Sequence, residues 1–225
     1  MARIFITREI QSDSPLQQLL SQGHELIGYS CVDFEAVDFQ LESFTPWYFF
    51  YGKQGVRFFW QGLTTDQKTK VAFAKVGTIG TPTADYCRSL GLSVAFDGAA
   101  FPLESMSAAF ACDLGEDRVT IARGTTSQRR IEAQLEPSQV IDLVVYHNKK
   151  SLDFLDPKAD ILIFTSPLNV DAYFDRFSIQ IGQRLIAIGD STKKRLSEHG
   201  LQSVIPEVSS EESIFQLLHQ ILMTT

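Results

Sequence analysis

The stretch Gln183–Val204, QRLIAIGDSTKKRLSEHGLQSV, decides the fold once it is set beside Lys75–Val94, KVGTIGTPTADYCRSLGLSV. The two are one unit used twice. Each starts with an apolar run, Leu185–Ile188 or Val76–Ile79, and meets a glycine, Gly189 or Gly80. Three residues on stands a threonine, Thr192 or Thr83. Eleven residues after the first glycine stands a second, Gly200 or Gly91, followed by a short run ending in valine. The pattern reads as strand, tight turn, helix, glycine stop, strand. The first glycine suits a sharp turn, and hydroxyls there suit helix caps. Gly91 and Gly200 stand where a helix takes a left-handed residue just past its end.

The repeat extends upstream. Phe164–Val170, FTSPLNV, follows the run ADILI, and Phe50–Val56, FYGKQGV, follows PWYF. Both predict a strand running into a helix. Two copies are too few for a solenoid, so the repeat predicts two similar lobes with function where they face each other.

Composition sets bounds on that reading. A chain of 225 residues accommodates one large or two small domains. A chain of that length buries roughly 70% of its unfolded surface without staples. Hydrophobic content of 44% and charged content of 21% are those of a soluble globule. The net charge of −7 argues against nucleic acid, which needs a basic face. It also means that an anionic ligand must be held by local donors. The three cysteines, Cys31, Cys87 and Cys112, lack metal-ligand spacing and read as cytosolic thiols. The four histidines are scattered and give no metal signature. The opening MARIFIT reads as a strand and not a signal peptide. No apolar run approaches the roughly 20 residues of a membrane span.

Strands and helices alternate along the whole chain. Ala2–Thr7 is a strand, and a helix with proline at its first position follows from Ser14 to Gly23. Val32–Phe39, with alternating apolar and acidic residues, reads as a crossing strand. Ser127–Leu135 reads as a helix, Gln139–Tyr146 as a strand, and the polar His147–Lys150 as a linker. Gln202–Ile205 reads as a strand, and Ser209–Glu212 as a capping box opening the last helix. Near-continuous apolar strands between helices predict parallel sheets covered on both faces. The fold class is therefore α/β: two similar parallel-sheet domains joined by a two-stranded linker, with a cleft between them. The first domain is discontinuous, 1–32 plus 151–225. The second, 38–145, is inserted, with linkers at 33–37 and 146–150.

In this order, strand-FTSP-x-x-V, I-A-I-G-x-x-T and G-L, with an upstream R-G and a strand ending V-V-Y, the motifs resemble the uroporphyrinogen-III synthase family over nearly the whole chain. Each motif is short, but the order and spacing are specific together. The resemblance implies a cytoplasmic, monomeric, cofactor-free cyclase with no membrane or nucleic-acid partner. It would convert hydroxymethylbilane, a linear tetrapyrrole, to uroporphyrinogen III with loss of water and inversion of ring D. A non-catalytic tetrapyrrole sensor of the same fold is the alternative.

The resemblance places Tyr146 at the family's cleft tyrosine, which assists departure of the substrate hydroxyl. Thr83, Ser191 and Thr192 lie at the matched turns, where helix N-termini offer N–H groups to carboxylates. Plain capping is the competing role there. Thr165 and Ser166 end a strand, where parallel sheets bind ligands, or else cap the helix from Pro167. Arg123-Gly124 matches the R-G, with Arg123 a carboxylate clamp, and Arg8 ends the first strand as a second candidate. Two positions depart from the family pattern: Tyr51-Gly52 stands where Thr-Ser is usual, with Lys53 the charge at hand. Gln128 stands where an arginine is usual, with Arg129 and Arg130 following.

Overall fold

Both repeats fold as strand, turn and helix in the computed structural model, which describes residues 1–127 and 129–223. The strands are β1 (Arg3–Ile6), β2 (Glu25–Gly28), β3 (Val32–Ala36), β4 (Trp47–Phe50), β5 (Lys75–Thr78), β6 (Ser93–Asp97), β7 (Val119–Gly124), β8 (Val140–Lys150), β9 (Ile161–Phe164) and β10 (Arg184–Ala187). The helices are α1 (Gln18–Ser21), α2 (Lys53–Gly62), α3 (Thr65–Val71), α4 (Thr81–Ser89), α5 (Leu103–Leu114), α6 (Pro167–Phe174), α7 (Asp190–Glu198) and α8 (Glu211–Met223). The chain divides into two compact units, Met1–Asp33 with Lys149–Thr225, and Phe34–Asn148. The strands β3 and β8 are neighbours in one sheet, and each carries the chain across the boundary between units.

The first unit holds a four-stranded parallel sheet in the order β10-β9-β1-β2. Alternation along β1 explains its two cores. Phe5 points to one face, with Leu162, Phe164 and Leu185, and packs under Val170, Tyr173 and Leu196 of α6 and α7. Ile4 and Ile6 point to the other, with Ile161, Ile163 and Ile186, under Leu16, Leu19, Ile214 and Leu218. Period-two side chains on a sheet covered by helices on both faces require this run of apolar residues.

The second unit repeats the logic around the order β3-β8-β7-β4-β5-β6, in which β8 through β6 pair in parallel. The all-aromatic β4 splits by alternation. Tyr48 and Phe50 meet Val56, Phe59 and Cys87 from α2 and α4, while Trp47 and Phe49 meet Met106, Phe110 and Leu114 of α5. Burial of each such side chain stabilises by about 1.5–3 kcal/mol.

The second glycine of each repeat does what its position predicts: Gly91 and Gly200 take φ +79° and +75° just past α4 and α7. The first does not. Gly80 and Gly189 are extended, with φ −174° at both, and no side chain caps either helix. Caps by Thr81, Ser191 or Thr192 are therefore absent.

Four local expectations are corrected. Among the described residues of the stretch Ser127–Leu135 there is no α-helix, and Glu132–Gln134 makes a 3-10 turn. Arg129 at φ +53° interrupts a right-handed helix, and the Ile131 N–H goes instead to the Tyr51 hydroxyl at 2.8 Å. Gln202–Ile205 contributes only the bridge between Ile186 and Val204, and Pro206 beyond it has no N–H to extend the ladder. The strand expected to stop at Tyr146 continues through Lys150, because the polar His147–Lys150 stretch stays in β8 beside β3. The hydroxyl accepting from the first turn of α8 is that of Ser210, 3.2 Å from Ser213 N, one residue after the expected Ser209. Among the described residues no helix is long and apolar enough to cross a membrane.

Candidate functional site

Parallel strands of the second unit end together, and their C-terminal ends frame a recess of about 320 Å³. Its walls are Tyr51 after β4, Ile79 after β5, Gly124 at the end of β7, Tyr146 on β8, and Thr126, Ser127 and Arg130 from the loop after β7. Ligands bind parallel sheets at this edge. Two of the sequence-predicted residues meet here, since Gly124 and Tyr146 pair across the β7–β8 ladder.

Their contact explains why the sequence has glycine at 124. A Cβ there would stand 2.6 Å from Tyr146 Cζ and 2.9 Å from its Oη. The tyrosine ring thus lies directly on the glycine backbone. Phe58 stacks on it at 5.5 Å between centroids, and Phe34 meets it edge-on at 5.8 Å. Burial among these rings holds the Tyr146 phenol above the ordinary tyrosine value of 10.0. At neutral pH it is a proton-bearing donor.

Arg123 lies beside this pair but turns away from the recess. Its guanidinium is buried and bidentate on Asp142, with Nε–Oδ1 and Nη2–Oδ2 both 2.6 Å, and its Nη1 donates to Gly124 O at 3.0 Å. The Asp142 hydrogen bonds push its pKa up despite burial. With those donors occupied, the expected clamp on a ligand carboxylate is replaced by a brace under the loop. Glu132 joins the brace at 3.9 Å from Arg123 Nε and 3.6 Å from Arg129 Nε, and Arg129 also reaches Asp142 at 3.2 Å. Tyr51 donates its hydroxyl to Glu132; burial first, then that bond, raises the Tyr51 pKa. Gln128 lies outside the described residues. Lys53 is exposed in the first turn of α2 and does not line the recess.

The remaining predicted residues stand elsewhere. Thr83 is buried in the first turn of α4 and does not line the recess. In the first unit, Arg8, Thr165, Ser166, Ser191 and Thr192 gather after the C-terminal ends of β1, β9 and β10. Most are already engaged. Thr165 Oγ1 donates to Thr7 O at 3.0 Å. Ser166 Oγ accepts from Asn169 N at 3.2 Å and so caps α6. Arg8 pairs with Glu211 at 2.7 Å. Thr192 is buried, and Ser191 is exposed. A larger recess, about 460 Å³, sits at the opposite edge of this sheet, lined by Ala2, His24, Asp160 and Arg184 where the strands begin. No three His, Cys, Asp or Glu side chains are grouped to hold a metal among the described residues.

Sequence reasoning missed Ile79, Thr126 and Ser127 as walls of the recess, and took Tyr51 only as a departure. Their signal is positional: each follows closely on a parallel strand's C-terminal end.

The family model described as uroporphyrinogen-III synthase HemD matches residues 15–216. The chain belongs to the uroporphyrinogen-III synthase family. The fold agrees. The crystal structure of uroporphyrinogen-III synthetase from Helicobacter pylori 26695 superposes with a TM-score of 0.75 at 21% identity, covering 98% of this chain and 100% of that one. A mutant uroporphyrinogen III synthase from the extremely thermophilic bacterium Thermus thermophilus gives a TM-score of 0.55 at 15% identity, with both chains covered in full. No curated protein sequence gives a significant match. Family membership supports the synthase over the non-catalytic sensor.

Proposed function

We propose that this chain closes hydroxymethylbilane to uroporphyrinogen III, as a cytoplasmic monomer, with the two units as its two lobes. The family match over residues 15–216 carries the reading. The unpaired state of all three cysteines suits a reducing compartment.

The chemistry asks little of any one group. The hydroxyl on the ring A methylene leaves as water, taking one proton. The resulting electrophile is attacked by the substituted carbon of ring D. The spiro intermediate then breaks and recloses with ring D inverted. Without catalysis the flexible chain closes uninverted, so holding one conformation is the main task. Tyr146 supplies what remains. Its phenol stays protonated through burial, its ring is fixed by Phe58, Phe34 and the Gly124 backbone, and its hydroxyl donates to the leaving oxygen. In the first turns of α4 and α7, which no side chain caps at Gly80 and Gly189, the N–H groups of Thr81, Asp190 and Ser191 are left for substrate carboxylates. Thr83, Ser191 and Thr192 lie in those turns, and Thr165, Ser166 and Arg8 at the neighbouring strand ends are the further substrate-side residues of this reading. Arg123 serves indirectly, by bracing Gly124.

The test is turnover of Tyr146→Phe in a coupled assay with hydroxymethylbilane generated in place. Loss of the donor at unchanged fold is expected to lower kcat by about 10²-fold or less. Unchanged turnover at saturating substrate would take Tyr146 out of the mechanism.

A further inference from the structure

Two polar groups in the recess of the Phe34–Asn148 unit have no task in the account so far. The Ser127 hydroxyl oxygen is buried without a hydrogen-bond partner. Arg130 is exposed at the wall, and its guanidinium pairs with no carboxylate among the described residues. Beneath the wall, Arg123 and Arg129 stand against Asp142 and Glu132, two cations on two anions. The charge of Arg130 is the unmatched one. A buried hydroxyl left unpaired costs free energy, and a guanidinium lining the same recess carries donors in the fork geometry that suits a carboxylate.

Described residues on both sides of these groups are held by hydrogen bonds. Ser107 Oγ of α5 donates to Arg130 O at 3.1 Å. The next residue, Ile131, donates its N–H to Tyr51 Oη at 2.8 Å, and Tyr51 in turn donates to Glu132. At the other end Ser127 N–H donates to Gly124 O at 3.2 Å. A volume of about 320 Å³ lies at the low end of the ligand-pocket range of roughly 300–1,000 Å³. That is room for one substituted ring rather than four.

We propose that this recess takes one carboxylated pyrrole ring of the substrate, its carboxylate held by Ser127 Oγ and Arg130, and that Tyr51 is a positioning residue for that wall. The proposal rests on the synthase reading. It assigns Tyr51, a departure from the family pattern, to specificity in this chain.

The experiment is steady-state kinetics on the full chain with hydroxymethylbilane generated in place, wild type measured first. Arg130→Ala is expected to raise KM about tenfold or more, with a smaller change in kcat, and Arg130→Lys to recover part of the loss. Ser127→Ala is expected to raise KM in the same direction. Tyr51→Phe, which misplaces the same wall, is expected to raise KM, and to raise it much less when Arg130 is already Ala. A structural lesion alone would not give that coupling. Arg130 is exposed, so its variants keep the fold. An active wild type whose KM is unmoved by Arg130→Ala overturns this proposal and leaves the synthase reading standing. A wild type that yields no excess of isomer III overturns both. Full additivity of Tyr51→Phe with Arg130→Ala removes the positioning role of Tyr51.

Discussion

Gly124 is where a single hydrogen atom decides the site. With Tyr146 Cζ 2.6 Å from the position of a Cβ, Gly124→Ala has to push the ring off the strand or bend the strand away. Overpacking of this kind costs about 1–3 kcal/mol. The expected outcome is a lower melting temperature together with a loss of turnover larger than that of Tyr146→Phe, because ring, stack and strand end all shift. Equal turnover to wild type would mean that the ring's seat on Gly124 is not needed. At this scale the meeting of Gly124 and Tyr146 was legible, since both lie on largely apolar strands and sit at a motif. It misled for Arg123. A lone arginine at a strand end looks free to bind, and nothing local reveals that Asp142, 19 residues on, takes its donors. Tyr51 was hidden for the same reason, since its partner Glu132 is 81 residues away.

Elements formed from local signals came out as read. The glycine stops after α4 and α7 and the aromatic strand β4 depend on nearby residues and on period. The loop after β7 did not, because long-range hydrogen bonds override its helical pattern. A similar latch joins α6 to α7. Asp171 accepts from Arg195 at 2.6 and 2.9 Å and contacts His199 at 2.9 Å. Burial alone would raise the Asp171 pKa, but the Arg195 and His199 bonds outweigh it and hold the carboxyl below its ordinary 3.8. The folded value is depressed, so the latch stabilises fully above 3.8 and fades as pH falls through the lowered value. Asp171→Asn is expected to lower Tm at neutral pH by roughly 2–8 °C. The gap from wild type should close as pH drops below that window. Thermal melts at several pH values check this; a gap that widens in acid would contradict the assignment.

For the whole molecule, the strand–glycine–helix device with a second glycine closing the helix appears in each unit, as β10 into α7 and as β5 into α4. That much was written in the sequence, because parallel strands buried on both faces demand long apolar runs between helices. What the sequence does not write is the wall of a recess, which depends on residues brought together from β4, β7, β8 and the loop between the last two. The net charge of −7 gives an anionic ligand no general attraction, so such a ligand has to meet local donors. The measurement that tests the central claim most directly is the isomer composition of the product. Hydroxymethylbilane is generated in place with and without this protein, and the porphyrin isomers are separated after oxidation. Uroporphyrinogen-III synthase activity predicts isomer III in clear excess over the protein-free control. Isomer I alone, formed in the presence of the folded protein, would contradict it.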